Sequence, residues 1–470
     1  MNSRVSRQLI TNLNFTRLIV AMLILGLQAC TTQHKPDLQR LYQQNRAVSQ
    51  PPVILIHGLM GSRLTDSKNG EEVWVGKLSK VLFSSYPDIA LDIDSETLTP
   101  KTSTLEVTGL MDKVAGKDFY ASITETLEAA GRYKRAETGI PQQKDARNYY
   151  VFTYDWRQDN VISARELSAY IEQIRLDYAD PTLKVDLVAH SMGGLISRYY
   201  LRYGEVDTLN DNDFPVNLHG SSRVRRTILL GTPNLGSASA LHSFINGYKL
   251  GFGSIPTETL ITMPSAYQLF PHALNDWIVT ASGKPLDRDL FDVNIWRRFE
   301  WSIFDPVVRK RVRASFDDPA EAEAHLEMLE GYFEKNLERA RRFVWSLTVP
   351  LPEQPYEFIV LGGDCNLTPA RILVEEVDGI SMTRLWPKEI KNPQTGVNYD
   401  YLMLEPGDGT VTKASLLARE SLDPSVPRHK WVSFPLDYPI FLCEEHTALT
   451  SNLTFQDSLL HTLLSLDLEN

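Results

Sequence analysis

Residues 183–204, LKVDLVAHSMGGLISRYYLRYG, change their hydrophobic period in mid-run. Up to His190 the segment is apolar with little polar interruption, the pattern of a strand buried on both faces. From Gly193 onward Leu195, Ile196, Tyr199 and Tyr203 fall on one side of a helix. Ser191 stands at the junction, with Ala189 two positions before it and Gly193 two after. A tight strand-to-helix turn that holds a serine out at the carboxyl edge of a sheet needs small residues there, because larger side chains would collide. A serine that only caps the helix is the alternative. The order strand, small-x-Ser-x-small, helix favours the exposed nucleophile.

The same alternation recurs on both sides. VILIHG from Val53 reads as a buried strand ending in a glycine turn, and FYASITETLEAAG is helical at Phe119, Ile123, Leu127 and Ala130. NYYVFTYDWR is a strand, ISARELSAYIEQIRLDYA an amphipathic helix, and RRTILLGTP a strand after the serine. This order predicts an α/β fold with a mostly parallel, doubly wound sheet covered on both faces. The alternation breaks between about Leu235 and Pro355. There a long helix, opened by Asp318 and Pro319, carries the stripe Leu326, Leu329, Phe333, Leu337 and Val344. The sheet pattern resumes at YEFIVLGGD, passes through YDYLMLEPGDGTV and KWVSFPL, and ends in the helix SNLTFQDSLLHTLL. The expected organisation is a signal peptide (1–29), a tether (30–50), a first part of the core (51–235), a largely helical cap or lid insertion (236–355) and a second part of the core (356–470).

With 48 basic against 59 acidic residues, a formal charge of -11 and no lysine or arginine block, the chain lacks the electrostatics of a nucleic-acid partner. Arg4, Arg7 and Arg17 precede or border the apolar run Leu18–Leu27, which is too short to span a bilayer and suits a secretory signal. LQAC at its end resembles the lipobox of bacterial lipoproteins, so Cys30 is the expected lipidation site and a lipid anchor in the membrane the expected partner. A plain signal peptide cleaved nearby is the alternative. Thr31 in place of aspartate implies, by resemblance to the sorting rule of Gram-negative cells, the periplasmic face of the outer membrane. Cys365 and Cys443 are the remaining cysteines; in an oxidising compartment they are expected to form a disulfide.

A serine nucleophile needs a base oriented by an acid, and in this kind of fold both follow the serine in the chain. His446 lies in CEEHTALTSN, between the last strand and the last helix, where a base can reach back; His429 is the next candidate. Two acids qualify. Asp364 directly follows the strand EFIVLGG, and Asp408 sits between Gly407 and Gly409, which leave a carboxylate uncrowded and favour it. Backbone amides of Met192, after the nucleophile, and of Leu59, in the loop HGLMG, are the expected oxyanion donors. His57 precedes the serine and reads as a turn-stabilising side chain. No metal-ligand cluster appears, and no cofactor is expected.

Eight segments then occur in a telling order: PPVILIHGLMGSRL (51–64), EEVWVG (71–76), FTYDWRQD (152–159), AHSMGG (189–194), GTPNLGS (231–237), MPSAYQLFP (263–271), GDGTV (407–411) and HTALTSN (446–452). Together they resemble the lecithin:cholesterol acyltransferase family. The resemblance implies an α/β-hydrolase fold with a cap and lid, a Ser191, Asp408 and His446 triad, and oxyanion donors at Leu59 and Met192. It also implies transfer of an acyl chain from a phospholipid to a sterol, a glyceride or water, and a Cys365–Cys443 bridge that braces the segments bearing Asp408 and His446. Trp156 and Arg157 either shape the pocket or pack the strand end. His57, where many eukaryotic members have proline, and Ala189, in place of the usual glycine, depart from the pattern. The expected function is O-acyl transfer on lipid esters. The alternatives are a phospholipase A, lipase or carboxylesterase with water as acceptor, and an inactive hydrolase-fold binding protein. That last reading needs a broken triad position, and none is broken.

Overall fold

Four consecutive aliphatic residues make β1 (Val53–Ile56), and all four are buried, as a strand covered on both faces requires. Around it the computed structural model assembles a sheet from β2 (Lys134–Arg135), β3 (Asn148–Phe152), β4 (Val185–His190), β5 (Val224–Leu230), β6 (Phe358–Gly363) and β7 (Leu436–Leu442). The order is β7-β6-β5-β4-β1-β3-β2, and every neighbouring pair is parallel. The chain therefore builds one side of β1 and then crosses to the other. That reversal opens a crevice at the carboxyl ends of β1 and β4, which pair in register from Val53 and Asp186 to Ile56 and Ala189. The structure describes residues 36–44, 49–250 and 252–465. The signal peptide and Cys30 lie outside the described residues.

Contacts divide the chain into Met1–Gln44 and Asn45–Asn470. In the first unit Asp37 caps a helical turn, Leu38–Leu41, by accepting the Arg40 amide at 3.1 Å. The central sheet lies in the second unit. Its main helices are α1 (Ala121–Ala129), α2 (Asn160–Asp177), α3 (Met192–Tyr203), α4 (Pro319–Ser346) and α5 (Leu453–Leu464). Asp159, Asp318 and Asn452 cap α2, α4 and α5 with side-chain oxygens, and Pro319 opens α4. Among the described residues no helix is long and apolar enough to cross a membrane.

The stripe Leu326, Leu329, Phe333, Leu337 and Val344 of α4 is buried, but α3 is covered on every side rather than along one face. The cause is the end of α4. Arg198 of α3 donates to the Leu347 carbonyl at 2.6 Å, Arg202 to that of Val349 at 2.9 Å, and the Tyr203 hydroxyl to that of Ser346 at 2.7 Å. Carbonyls left open at a helix C-terminus thus satisfy arginines that otherwise belong in water.

Two stretches depart from the expected sheet. KWVSFPL is not a strand: the Ser433 amide donates to the Thr348 carbonyl at 2.9 Å, and β7 begins only at the last residue, Leu436. The YDYL portion of YDYLMLEPGDGTV is a helical turn, Tyr399–Met403, capped by Asn398. The following strand, Leu404–Gly407, pairs antiparallel with Asn366–Pro369 outside the main sheet. Ile372–Val377 pairs with Ile278–Thr280, so residues after β6 join the stretch expected to form the insertion.

Candidate active site

The turn between β4 and α3 holds Ser191 at φ 54°, ψ -124°, a conformation non-glycine residues rarely adopt. Its amide is tied to the Leu230 carbonyl at the end of β5, 2.8 Å away. Although Ser191 occupies the cap position of α3, its side chain makes no capping hydrogen bond, which sets aside the alternative role weighed from sequence. Close approach explains the neighbouring glycines. A Cβ on Gly58 would lie 2.7 Å from Ser191 Cβ, and one on Gly193 would lie 2.5 Å from the His57 carbonyl oxygen.

His446 opens a short helical turn, His446–Ser451, directly after β7, and its Nε2 lies 2.9 Å from Ser191 Oγ. Its Nδ1 lies 2.7 Å from Asp408 Oδ2, with Asp408 only 2% exposed. A carboxylate only accepts, so Nδ1 carries the proton and Nε2 is left to accept the Ser191 hydroxyl. Burial raises the Asp408 carboxyl pKa, but His446, through charge and hydrogen bond, and the amides of Val411 and Thr410 outweigh it and hold it below the usual range. The carboxylate stays ionised.

Asp364 is engaged elsewhere, 2.9 Å from Lys413 Nζ. His429 accepts the Trp431 amide at 3.2 Å and is not bonded to the serine. Cys365, just past β6, and Cys443, just past β7, form a disulfide with Cα atoms 5.0 Å apart. It joins the ends of the two strands beside the Asp408 turn, where a Cβ on Gly363 would meet Asp408 Cβ at 2.7 Å.

Met192 is the first residue of α3, so its N–H is one of the donors a helix leaves open. In the facing loop Gly61 closes a turn onto the Gly58 carbonyl at 3.2 Å, and the Gly58 amide is taken by Tyr120 Oη at 2.9 Å. Among the described residues no hydrogen bond engages the Leu59 amide between them. His57 is buried, stacks flat on Tyr154 at 4.2 Å, and bonds its own loop through Nδ1 to the Gly58 carbonyl at 2.7 Å. Burial drives its pKa down to about 4, so it is a neutral brace for the turn. Trp156 and Arg157 pack the strand end. The Trp156 indole donates to the Ser62 carbonyl at 3.2 Å, and Arg157 grips Asp155 with two bonds and the Ile89 carbonyl with a third. Sequence reasoning missed Tyr120 and His190, which bond each other at 2.7 Å beside this site. His190 reads as the last residue of an apolar strand and Tyr120 as the start of a helix, and no local pattern links them.

The family model described as lecithin:cholesterol acyltransferase matches residues 111–418, about two thirds of the chain, including Ser191 and Asp408. The chain belongs to this family. The protein YJR098C of Saccharomyces cerevisiae is 21% identical to it over 253 residues, which are 52% of this chain and 33% of the yeast protein. The match thus spans about a third of that relative's length. Among solved structures, a chain of the Tle4–Tli4 complex superimposes with a TM-score of 0.53 at 16% identity, covering 88% of this chain and 98% of that one. The fold is that of the α/β hydrolases. Lipase BlEst2 of Bacillus licheniformis in its mature form is less alike, with a TM-score of 0.33 at 14% identity over 89% of this chain and 93% of its own.

Proposed function

We propose that this family member is a serine-dependent O-acyltransferase that moves an acyl chain from a phospholipid to an alcohol acceptor. The observation that carries the reading is the continuous chain Ser191 Oγ, His446 Nε2, His446 Nδ1, Asp408 Oδ2, with links of 2.9 and 2.7 Å, at the crevice of the sheet. Ser191 Oγ attacks the ester carbonyl while its proton passes to His446 Nε2, and Asp408 holds the imidazolium. The carbonyl oxygen takes up the negative charge against the amides of Leu59 and Met192, each worth on the order of a hundredfold in rate. Collapse breaks the ester C–O bond, and His446 returns the proton to the leaving lysophospholipid oxygen. An acceptor hydroxyl then gives its proton to His446, attacks the acyl-Ser191 carbonyl, and leaves as the new ester while Ser191 regains its proton.

Lipidation of Cys30 would keep the enzyme at its substrate, on the periplasmic face of the outer membrane. The acidic balance of the chain supports a role for the anchor, since anionic lipid would not attract the body by charge. Loss of radiolabelled acyl incorporation in Cys30→Ala tests this, and unchanged incorporation contradicts it.

Lipid mass spectrometry tests the reaction. The chain from Thr31 onward and its Ser191→Ala variant are incubated with phosphatidylcholine vesicles containing a sterol and diacylglycerol. Steryl ester or triacylglycerol that grows only with the unmutated protein is expected. Free fatty acid without a transfer product would make water the acceptor and overturn the transferase reading.

A further inference from the structure

A second chain of hydrogen bonds runs through buried side chains, from the loop after β1 to the loop after β7. The Gly58 N–H donates to Tyr120 Oη at 2.9 Å, which leaves the phenolic proton for His190 Nδ1, 2.7 Å away. Nδ1 therefore accepts, and the imidazole proton sits on Nε2, facing the His446 carbonyl oxygen at 3.3 Å. The two ends are an amide, which only donates, and a carbonyl, which only accepts, so they fix the direction of every link. Tyr120 is 3% exposed and His190 8%. Burial raises the phenol's pKa and lowers that of the imidazole to about 3, with the His446 charge adding to the second shift. The chain is neutral throughout the range in which a serine enzyme works.

Both ends bear on the reacting groups. Gly58 packs so close to Ser191 that a Cβ would collide, and the next amide is that of Leu59. At the other end the His446 backbone is held on both sides: its N–H donates to the Asp408 carbonyl at 2.9 Å, and its C=O faces His190. The same corner of the fold grips this loop again, since the Thr450 hydroxyl donates to the Phe119 carbonyl.

We propose that Tyr120 and His190 are positioning residues that lock the oxyanion loop and the base loop into one geometry, and thereby set the rate of acyl-enzyme formation without touching the substrate. The proposal rests on the roles assigned above to Ser191, His446, Asp408 and Leu59. A relay of this kind acts on kcat, because misplacing reacting groups by about 1 Å costs up to a hundredfold. A merely stabilising pair would instead lower the folded fraction and leave each folded molecule fully active.

The test uses Tyr120→Phe, His190→Gln, His190→Asn and the Tyr120→Phe/His190→Gln double variant. Hydrolysis of p-nitrophenyl butyrate and the rate of fluorophosphonate labelling are both normalised to the Ser191 sites that label at saturation. Gln keeps a donor toward His446 and Asn an acceptor toward Tyr120, so the two His190 variants carry the test if Tyr120→Phe does not fold. The expected result is a fall in kcat per labelled site of about 10- to 100-fold, with KM changed less than about twofold and labelling slowed in step. Because both substitutions break one chain, the double variant should lose no more than the worse single one. Per-site kcat within about twofold of the unmutated protein, or losses that multiply in the double variant, would overturn the proposal. Absence of Ser191-dependent labelling in the unmutated protein would overturn the functional reading itself, and the proposal with it.

Discussion

Asp408 holds both the ring and the backbone of His446: its carboxylate takes Nδ1–H at 2.7 Å and its carbonyl takes the His446 amide at 2.9 Å. Asp408→Asn should therefore retain the fold and lose kcat by about 10³- to 10⁴-fold, because an amide no longer enforces the tautomer that leaves Nε2 free. Asp364→Asn removes a partly exposed pair with Lys413 and should change kcat by less than about fivefold, since such pairs contribute at most about 1 kcal/mol. Ester hydrolysis by the two variants checks this, and equal losses would contradict the assignment of the acid.

Gly193→Ala tests the close approach of β1 to α3. The added Cβ would fall 2.5 Å from the His57 carbonyl and 2.9 Å from that of Ile56, backbone atoms of the segment that leads into the oxyanion loop. Overpacking of this kind costs about 1–3 kcal/mol, and here it also displaces the Leu59 amide. Thermal unfolding and labelling kinetics should both worsen, and an unchanged midpoint with an unchanged labelling rate would contradict the account.

Acid should weaken the fold through its buried histidines. His57, His190 and His272 are held near 4, 3 and 3, each mainly by burial, whereas in the unfolded chain they titrate near 6.5. The unfolded state binds more protons below pH 6.5, so stability is full above that value and falls as pH drops toward the folded pKa values. Between pH 7 and 5 the loss is about 2 kcal/mol for each histidine. Urea unfolding of Ser191→Ala at the two pH values measures it, and a midpoint at pH 5 equal to or above that at pH 7 would contradict it.

The Cys365–Cys443 bridge closes a loop of sequence separation 78, for which chain entropy gives about 4.5 kcal/mol. Both residues are exposed, so a reductant can reach them. The Cys365→Ala/Cys443→Ala variant should unfold at lower urea concentration and label more slowly at Ser191, since the bridge joins the strand ends beside Asp408 and His446. Unaltered values for both would show that the packing around Gly363 suffices without it.

The sequence made Ser191 legible because two hydrophobic periods meet at one residue, and His446 because a base must return from the end of the last strand. The choice between Asp364 and Asp408 depended on partners distant in the chain, Lys413 for the one and His446 for the other, which no local pattern displays. The full burial of α3 was hidden for the same reason. Its arginines look like surface residues until the carbonyls at the end of α4 arrive to receive them. KWVSFPL has a strand's alternation of side chains, but its Ser433 amide is taken by the Thr348 carbonyl beyond the end of α4. Tyr120 and His190 are joined across 70 positions by hydrogen bonds alone, so neither composition nor periodicity marks them.

Peptide mapping after reaction with a fluorophosphonate identifies the nucleophile. One adduct is expected, on Ser191, absent from Ser191→Ala and formed far more slowly in His446→Ala. A folded, unmutated protein that takes up no label, or takes it up at another serine with Ser191 unmodified, would contradict it.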